Sequence, residues 1–154
     1  MSIVAAILER EIELVSRFIV ALNDEQKCLT AANADALPAL CAQKAELVEQ
    51  LNALENERMA AIGHSGQPSD QASMQAWLDN NPSDSLAGQY WQKLRELARE
   101  ARNLHELNAQ LVESHLKHTT EALAILTQQA SQSTIYGASG QTTTATGSRI
   151  VDSA

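Results

Sequence analysis

The sequence predicts an all-α protein: an antiparallel helical hairpin, a short linker helix, a long third helix and a flexible C-terminal tail. Two observations lead to this fold class. Apolar residues recur at alternating spacings of three and four, as in helices that bury one face against a neighbour. Aromatic residues make up only 3 % of the chain, whereas β-sandwiches and barrels rely on aromatic and β-branched side chains. The three main helices should therefore form an elongated bundle with coiled-coil packing.

The first helix is predicted to run from Ser2 to Ala32. Its apolar seam keeps a heptad spacing throughout, which is typical of a helix packed along its whole length. The seam consists of Leu8, Ile12, Val15, Ile19, Leu22, Gln26 and Leu29.

The second helix is predicted to begin after Asp35, which would serve as its N-cap. Pro38 falls in the first turn, where its missing N–H costs nothing. The apolar spacing continues through Leu54, Arg58 and Ala61, and the following glycine at position 63 is the expected C-cap.

The short connection makes these two helices antiparallel neighbours. Residues at equal distances from the turn then face each other, so that Leu22 lies opposite Leu47. Gln26 comes opposite Lys44, which gives one polar layer in an otherwise apolar seam. Such layers usually fix the register of packed helices.

A loop rich in Gly, Ser and Pro occupies residues 63–70 and separates the hairpin from the rest of the chain. A short linker helix is predicted over residues 71–79, with Ser69 or Asp70 as its N-cap.

The third helix is predicted over residues 85–130, capped by Ser83 or Asp84 after a break at a proline. Trp77 and Trp91 flank this break, and we expect them to seal the linker against the bundle, with partner binding as the alternative.

The chain should divide into a helical domain, residues 1–132, and a tail, residues 133–154. The tail consists mostly of Ser, Thr, Gly, Ala and Gln. This composition buries too little apolar surface to offset the entropy of ordering, which favours a flexible segment.

Charge and composition argue against several function classes. The formal charge of −8 and the pI of about 4.9 disfavour nucleic acid and anionic membranes as partners, because both require clustered Lys and Arg. No apolar run approaches the roughly 20 residues that span a bilayer. Charges at positions 9–11 precede any signal-peptide core. We therefore expect a cytoplasmic protein without membrane insertion.

No constellation of residues indicates catalysis, a metal or another cofactor, so we do not expect an enzyme. His115 and His118 lie three residues apart and could ligate a metal if another helix supplied ligands, but no other segment has a matching cluster. Cys28 and Cys41 lie almost symmetrically about the turn, and a disulfide between them is conceivable. In a reducing compartment the expectation is two free thiols, buried as small apolar groups.

Three blocks of sequence carry a family resemblance. The second helix, residues 35–58, begins Asp-Ala-Leu and continues with regularly spaced leucines; residues 94–108 read LRELAREARNLHELN; residues 135–140 read IYGASG. In this order the blocks resemble the FlgN-type flagellar export chaperones. The family has an Asn-x-x-Asn pair followed by Gly, whereas this chain has His105 at the first position and Asn108 without the glycine at the second.

The resemblance implies a cytoplasmic type III export chaperone for bacterial flagellum assembly. Its clients would be the hook-associated proteins of the hook–filament junction, bound through their amphipathic C-terminal helices and kept export-competent. Contact with the flagellar export gate is a further expectation. The alternative is a structural coiled-coil protein whose apolar stripe serves only self-association, for example as a homodimer.

Helix lengths suggest where a client would bind. At 1.5 Å per residue the hairpin helices span roughly 45 and 40 Å and the third helix roughly 70 Å, so the hairpin cannot cover all of the third helix. Its C-terminal third should extend past the turn and leave apolar surface free, which usually marks an interaction site. Together with the resemblance, this predicts a client-binding surface formed by Leu111, Val112, Leu116, Leu123, Ile125 and Leu126.

Overall fold

A computed structural model describes residues 1–68 and 71–142 of the chain. It contains four helices: α1 (Ile3–Thr30), α2 (Leu37–Ala61), α3 (Gln71–Asn80) and α4 (Ser85–Thr142). The described residues include no β-strand. The predicted all-α class is confirmed, and the order of hairpin, linker helix and long helix is as expected.

The start of α2 differs from the prediction. Ala36, not Asp35, stands at the N-cap position and makes no side-chain capping bond. The backbone N–H of Asp35 instead donates to Oδ1 of Asn33 at 3.3 Å. The connection therefore closes through an Asn side chain that mimics a backbone turn, and Pro38 starts the helix with a preset φ angle.

The other helix ends follow local turn chemistry. α2 ends at Ala61, and Ile62 rather than the predicted Gly63 stands at the C-cap position. Gly63 follows it with φ of +83°, a left-handed conformation that suits glycine. Asp84 caps α4 as predicted, because its Oδ1 accepts a backbone N–H from the first turn at 3.1 Å. The cap predicted at Ser69 or Asp70 lies outside the described residues.

α4 continues to Thr142, twelve residues beyond its predicted end at Ala130. The sequence predicted a flexible tail from residue 133, but the backbone of residues 133–142 is helical. Two hydroxyls just before this stretch bond back to the helix: that of Thr127 donates to the carbonyl of Leu123 at 2.8 Å, and that of Ser131 donates to the carbonyl of Thr127 at 3.0 Å. Side chains satisfied in this way are compatible with a helix. The rest of the predicted tail, residues 143–154, lies outside the described residues.

The chain divides into two compact units, residues 1–112 and residues 113–154. The domain boundary that the sequence suggested, after residue 132, stays a prediction. The hydrophobic core belongs to the first unit and draws on all four helices. Trp91 lies in this core, and Trp77 packs against it as expected for a sealed linker. The buried members are Val4, Ala5, Leu8, Val15, Ile19, Leu22, Met59, Ile62, Met74, Ala87, Trp91, Leu94 and Ala101.

The hairpin has the predicted register but a different polar layer. Lys44 forms its ion pair with Glu25 rather than with Gln26. Glu25 and Lys44 are equidistant from the turn, so the predicted register is kept. Glu25, whose charge is opposite to that of Lys44, is the buried residue of α1 in this layer. Asn108 of α4 joins the layer, because its Nδ2 donates to the carbonyl of Leu22 and to Oε1 of Glu25, both at 2.9 Å. Three helices thus share one polar layer.

Both cysteines are free thiols. The expectation that they are buried is wrong for Cys41, which is exposed, whereas Cys28 is half-buried. The reason is that none of residues 37–46 of α2 is buried, so this end of the helix offers no apolar environment.

Among the described residues, no helix has both the length and the hydropathy needed to cross a membrane.

Candidate functional site

The residues predicted to bind a client all lie on α4, and most are strongly exposed. Leu111 and Val112 close the first unit, and the other four belong to the second unit. The exposed fractions are 51 % for Val112, 65 % for Leu116, 59 % for Leu123, 57 % for Ile125 and 61 % for Leu126, while Leu111 is half-buried. Large apolar side chains exposed to this extent in a short stretch are typical of an interaction surface.

Helical geometry sorts these residues onto two sides of the second unit. At about 100° per residue, Leu116, Leu123 and Leu126 point to one side, together with Thr119. We call these four residues the α4 seam; their spacing of three, four and three is that of a coiled-coil contact line. Ile125 lies about 160° around the helix axis from Leu123, on the opposite side. The structure therefore brings three of the predicted leucines together and separates Ile125 from them.

Threonines extend the apolar character of the α4 seam. The hydroxyl of Thr119 donates to the carbonyl of His115 at 2.9 Å, and Thr120 donates to that of Leu116 at the same distance. Because each hydroxyl is bonded to its own helix, the methyl group is the part left for an outside contact. No residue from 113 to 132 is buried, so within the second unit this apolar surface is uncovered.

Most charges lie away from the α4 seam. Between residues 113 and 132 the residues charged at neutral pH are Glu113, Lys117 and Glu121. Lys117 and Glu121 lie about 100° or more around the axis from every seam residue, and Glu113 lies about 60° from Leu116 at the N-terminal end. Nδ1 of His118 lies 3.9 Å from a carboxylate oxygen of Glu121, on that polar side. This stretch is thus an amphipathic helix, the form of surface that packs against another helix.

The histidine pair of α4 does not form part of a ligand cluster. Within the described ranges, 1–68 and 71–142, no group of three or more His, Cys, Asp or Glu side chains is arranged to hold a metal ion.

Sequence analysis missed a buried ion pair in the first unit. Nε of Arg58 donates to the two carboxylate oxygens of Glu11 at 2.9 and 3.2 Å, and each side chain is only 4 % exposed. The guanidinium carbon of Arg58 lies 5.0 Å from the ring centre of Trp91. Burial raises the pKa of Glu11, and the charge of Arg58 offsets this only in part. Glu11 and Arg58 are equidistant from the hairpin turn, which is the feature that could have revealed the pair.

Comparison with known proteins identifies the family. The family model described as "FlgN protein" matches residues 1–144 of the chain. The chain belongs to the FlgN family. It is 28 % identical over 137 residues to Flagella synthesis protein FlgN of Yersinia enterocolitica serotype O:8. The aligned residues cover 86 % of this chain and 84 % of that protein.

A second FlgN relative gives a similar picture. The Flagella synthesis protein FlgN of Proteus mirabilis is 30 % identical over 121 residues, covering 78 % of this chain and 76 % of the relative. No solved structure matches the chain significantly. Asn108, which carried part of the FlgN resemblance, has a structural role here, because it ties α4 to α1 in the polar layer.

Proposed function

We propose that this FlgN-family protein is a cytoplasmic type III export chaperone that binds hook-associated proteins and keeps them export-competent during flagellum assembly. The family and the names of the relatives, which are flagella synthesis proteins, support a role in building the flagellum. The observation that carries the chaperone role is the uncovered α4 seam. Contact with the flagellar export gate is part of the same proposal.

Helix-to-helix packing gives the binding mode. An amphipathic C-terminal helix of a client would lay its own apolar positions along the α4 seam, burying side chains on both partners. Burying a leucine contributes about 1.5–3 kcal/mol relative to leaving it exposed. The uncharged stretch from residue 122 to residue 132 imposes little desolvation cost on such a contact.

The paired substitution Leu123→Asp with Leu126→Asp tests the binding surface. Loss of two apolar anchors should weaken client binding about a hundredfold or more, at about 1.4 kcal/mol per tenfold. The measurement is a calorimetric titration against the C-terminal helical segment of a hook–filament junction protein, with circular dichroism as the control for folding.

Ile125→Asp is the matched control, because Ile125 is as exposed as Leu123 but lies on the other side of the helix. It should leave the affinity within about threefold of wild type, well under 1.4 kcal/mol. A folded double variant that binds like wild type, or an Ile125→Asp variant that loses binding to the same extent, would rule out the α4 seam as the client site.

The heptad spacing of the α4 seam also fits the second candidate, a coiled-coil protein that only self-associates. Light scattering coupled to size exclusion separates the two. A chaperone should form a mixed complex with its client, whereas a self-association protein should give a symmetric oligomer whose mass does not change when client is added.

A further inference from the structure

The first unit contains a groove of about 590 Å³, lined mainly by residues of α2 and α4 and also by residues of α1 and α3. α2 and α4 meet at its lining, where the guanidinium carbon of Arg58 lies 5.0 Å from the ring centre of Trp91. Its apolar lining includes Val15 of α1, Leu51 of α2 and Leu94 of α4. The groove shares no residue with the α4 seam.

Two buried hydrogen-bond donors at the groove have no acceptor. The Arg58 side chain is only 4 % exposed. Its Nε donates to Glu11, but its Nη1 is buried without a hydrogen-bond partner among the described residues. Nε1 of Trp91 is likewise buried without a hydrogen-bond partner among the described residues. Both residues line the groove. Both nitrogens are covered by surrounding protein atoms, so a ligand in the groove would meet the exposed side chains that line it instead.

Three arginines of α4 make the groove basic. Arg95, Arg99 and Arg102 line it at spacings of four and three residues, and none of them forms an ion pair with any described residue. With Arg58 they are four of the eleven Lys and Arg residues in a chain of net charge −8. Among the described residues, two carboxylates, those of Glu11 and Glu55, line the groove beside them. A partner of complementary charge is therefore acidic.

We propose that this groove binds an acidic amphipathic helix of a partner protein. The three arginines rise along α4 over about 10 Å, one on each successive turn, and carboxylates spaced by three and four residues on a second helix have the same rise. Apolar residues flanking the carboxylates would pack on the half-buried Leu51. This repeat of donors distinguishes a helix from a single small anion as the ligand.

The test uses the full-length protein and two synthetic peptides of about four helical turns. Both peptides carry leucines on one helical face. Next to these leucines, the first peptide has Glu at positions spaced by four and three residues, and the second has Gln at the same positions. Fluorescence anisotropy should show the Glu peptide binding at least tenfold more tightly than the Gln peptide.

Two matched triple variants separate the groove from the overall charge. Arg95→Gln, Arg99→Gln and Arg102→Gln together should weaken binding of the Glu peptide tenfold or more. Arg17→Gln, Lys27→Gln and Lys93→Gln remove the same charge outside the groove and should change the affinity less than threefold. Equal losses in the two variants, or equal affinities of the two peptides, would overturn the proposal.

A second readout places the ligand at Trp91. In a Trp77→Phe background a single indole N–H resonance remains, and the Glu peptide should shift it. Inorganic phosphate that shifts this resonance and displaces the peptide at the peptide's own concentration would show a small-anion site and contradict the helix. Leu123→Asp with Leu126→Asp should leave binding of the Glu peptide unchanged, so failure here and failure of the proposed client site are distinguishable.

Discussion

Arg58 is a charged residue at a buried position of α2. The sequence pattern places it among the leucines of α2, and the structure buries it there. Its guanidinium contacts the Glu11 carboxylate on one side and the Trp91 ring on the other. A charge in such a position must be paired, because an unpaired buried charge costs several kcal/mol. Ion pairing and cation–π stacking therefore permit a polar residue at a core position.

Replacing Arg58 with Met should destabilise the fold strongly. Met fills a similar volume but leaves the Glu11 carboxylate buried without its partner, at a cost of about 3–5 kcal/mol. Adding Glu11→Leu should restore most of the stability, because an apolar pair of similar size is often neutral or better. Urea denaturation of the two variants checks this. A double variant no more stable than Arg58→Met alone would contradict the interpretation.

Glu11 should also make stability depend on pH. Its pKa is raised from the ordinary 4.5 by burial, with Arg58 offsetting part of the effect. The folded state therefore holds the proton more tightly than the unfolded chain, so this stabilising contribution is complete below 4.5 and is lost as pH rises through the raised pKa. Glu11→Gln removes the titration. Relative to this variant, wild type should lose stability in urea denaturation as the pH rises above about 4.5. A constant difference would show that the pKa is not raised.

At the scale of the helices, two ion pairs define the register of the hairpin, and in each pair the two partners lie at equal distances from the turn. Glu25 with Lys44 near the turn and Glu11 with Arg58 further away both have the same register. A shift of one residue would break both ion pairs at once. The apolar seam sets which faces pack, and these ion pairs select one register among those that the leucines allow.

The register predicts coupling between Leu22 and Leu47, which are 0 % and 1 % exposed. Leu22→Ala and Leu47→Ala should each cost about 2–5 kcal/mol, since each deletes buried methyl groups. If the two residues face each other, the double variant should cost less than the sum, by more than about 0.5 kcal/mol. Chemical denaturation of the single and double variants measures this. Strict additivity would argue against direct contact.

At the scale of the whole molecule, the buried core and the proposed client-binding surface lie in different units. Among the residues whose burial the structure describes, the buried ones run from Val4 to Asn108 and lie within residues 1–112, whereas no residue from 113 to 132 is buried. The first unit thus contains its own core, and the second presents the exposed α4 seam. A protein arranged in this way can be altered at the seam without disturbing the core.

Ending the chain after Val112 should therefore preserve the fold of the first unit. We expect a thermal midpoint within about 4 °C of wild type, the shift that roughly 1 kcal/mol produces in a domain of about this size. Capture of a hook-associated client should be lost, because the α4 seam is removed. Thermal unfolding by circular dichroism and the client titration check the two halves of this prediction. A truncated chain that is unfolded, or that still binds the client, would contradict it.

The sequence by itself determined the fold class, the antiparallel hairpin and its register, a cap at Ser83 or Asp84 and the turn at Gly63. These depend on heptad periodicity and short-range turn chemistry, which a sequence displays directly. It also gave the family and the exposed leucines of α4. That Ile125 lies on the other side of the helix follows from helical periodicity alone, so this part of the site could have been refined without coordinates.

Only the tertiary structure decided which side chains meet. Glu25 rather than Gln26 faces Lys44, Asn108 bonds to two acceptors on α1, and Glu11 pairs with Arg58. Each outcome depends on the rotation of a helix about its axis and on the distance between helices. The basic groove likewise depends on how the four helices are placed around it. Periodicity determines which residues share a face of a helix. The free energy of burying a charge depends on which partner lies within hydrogen-bonding distance, and only the packing of the helices determines that.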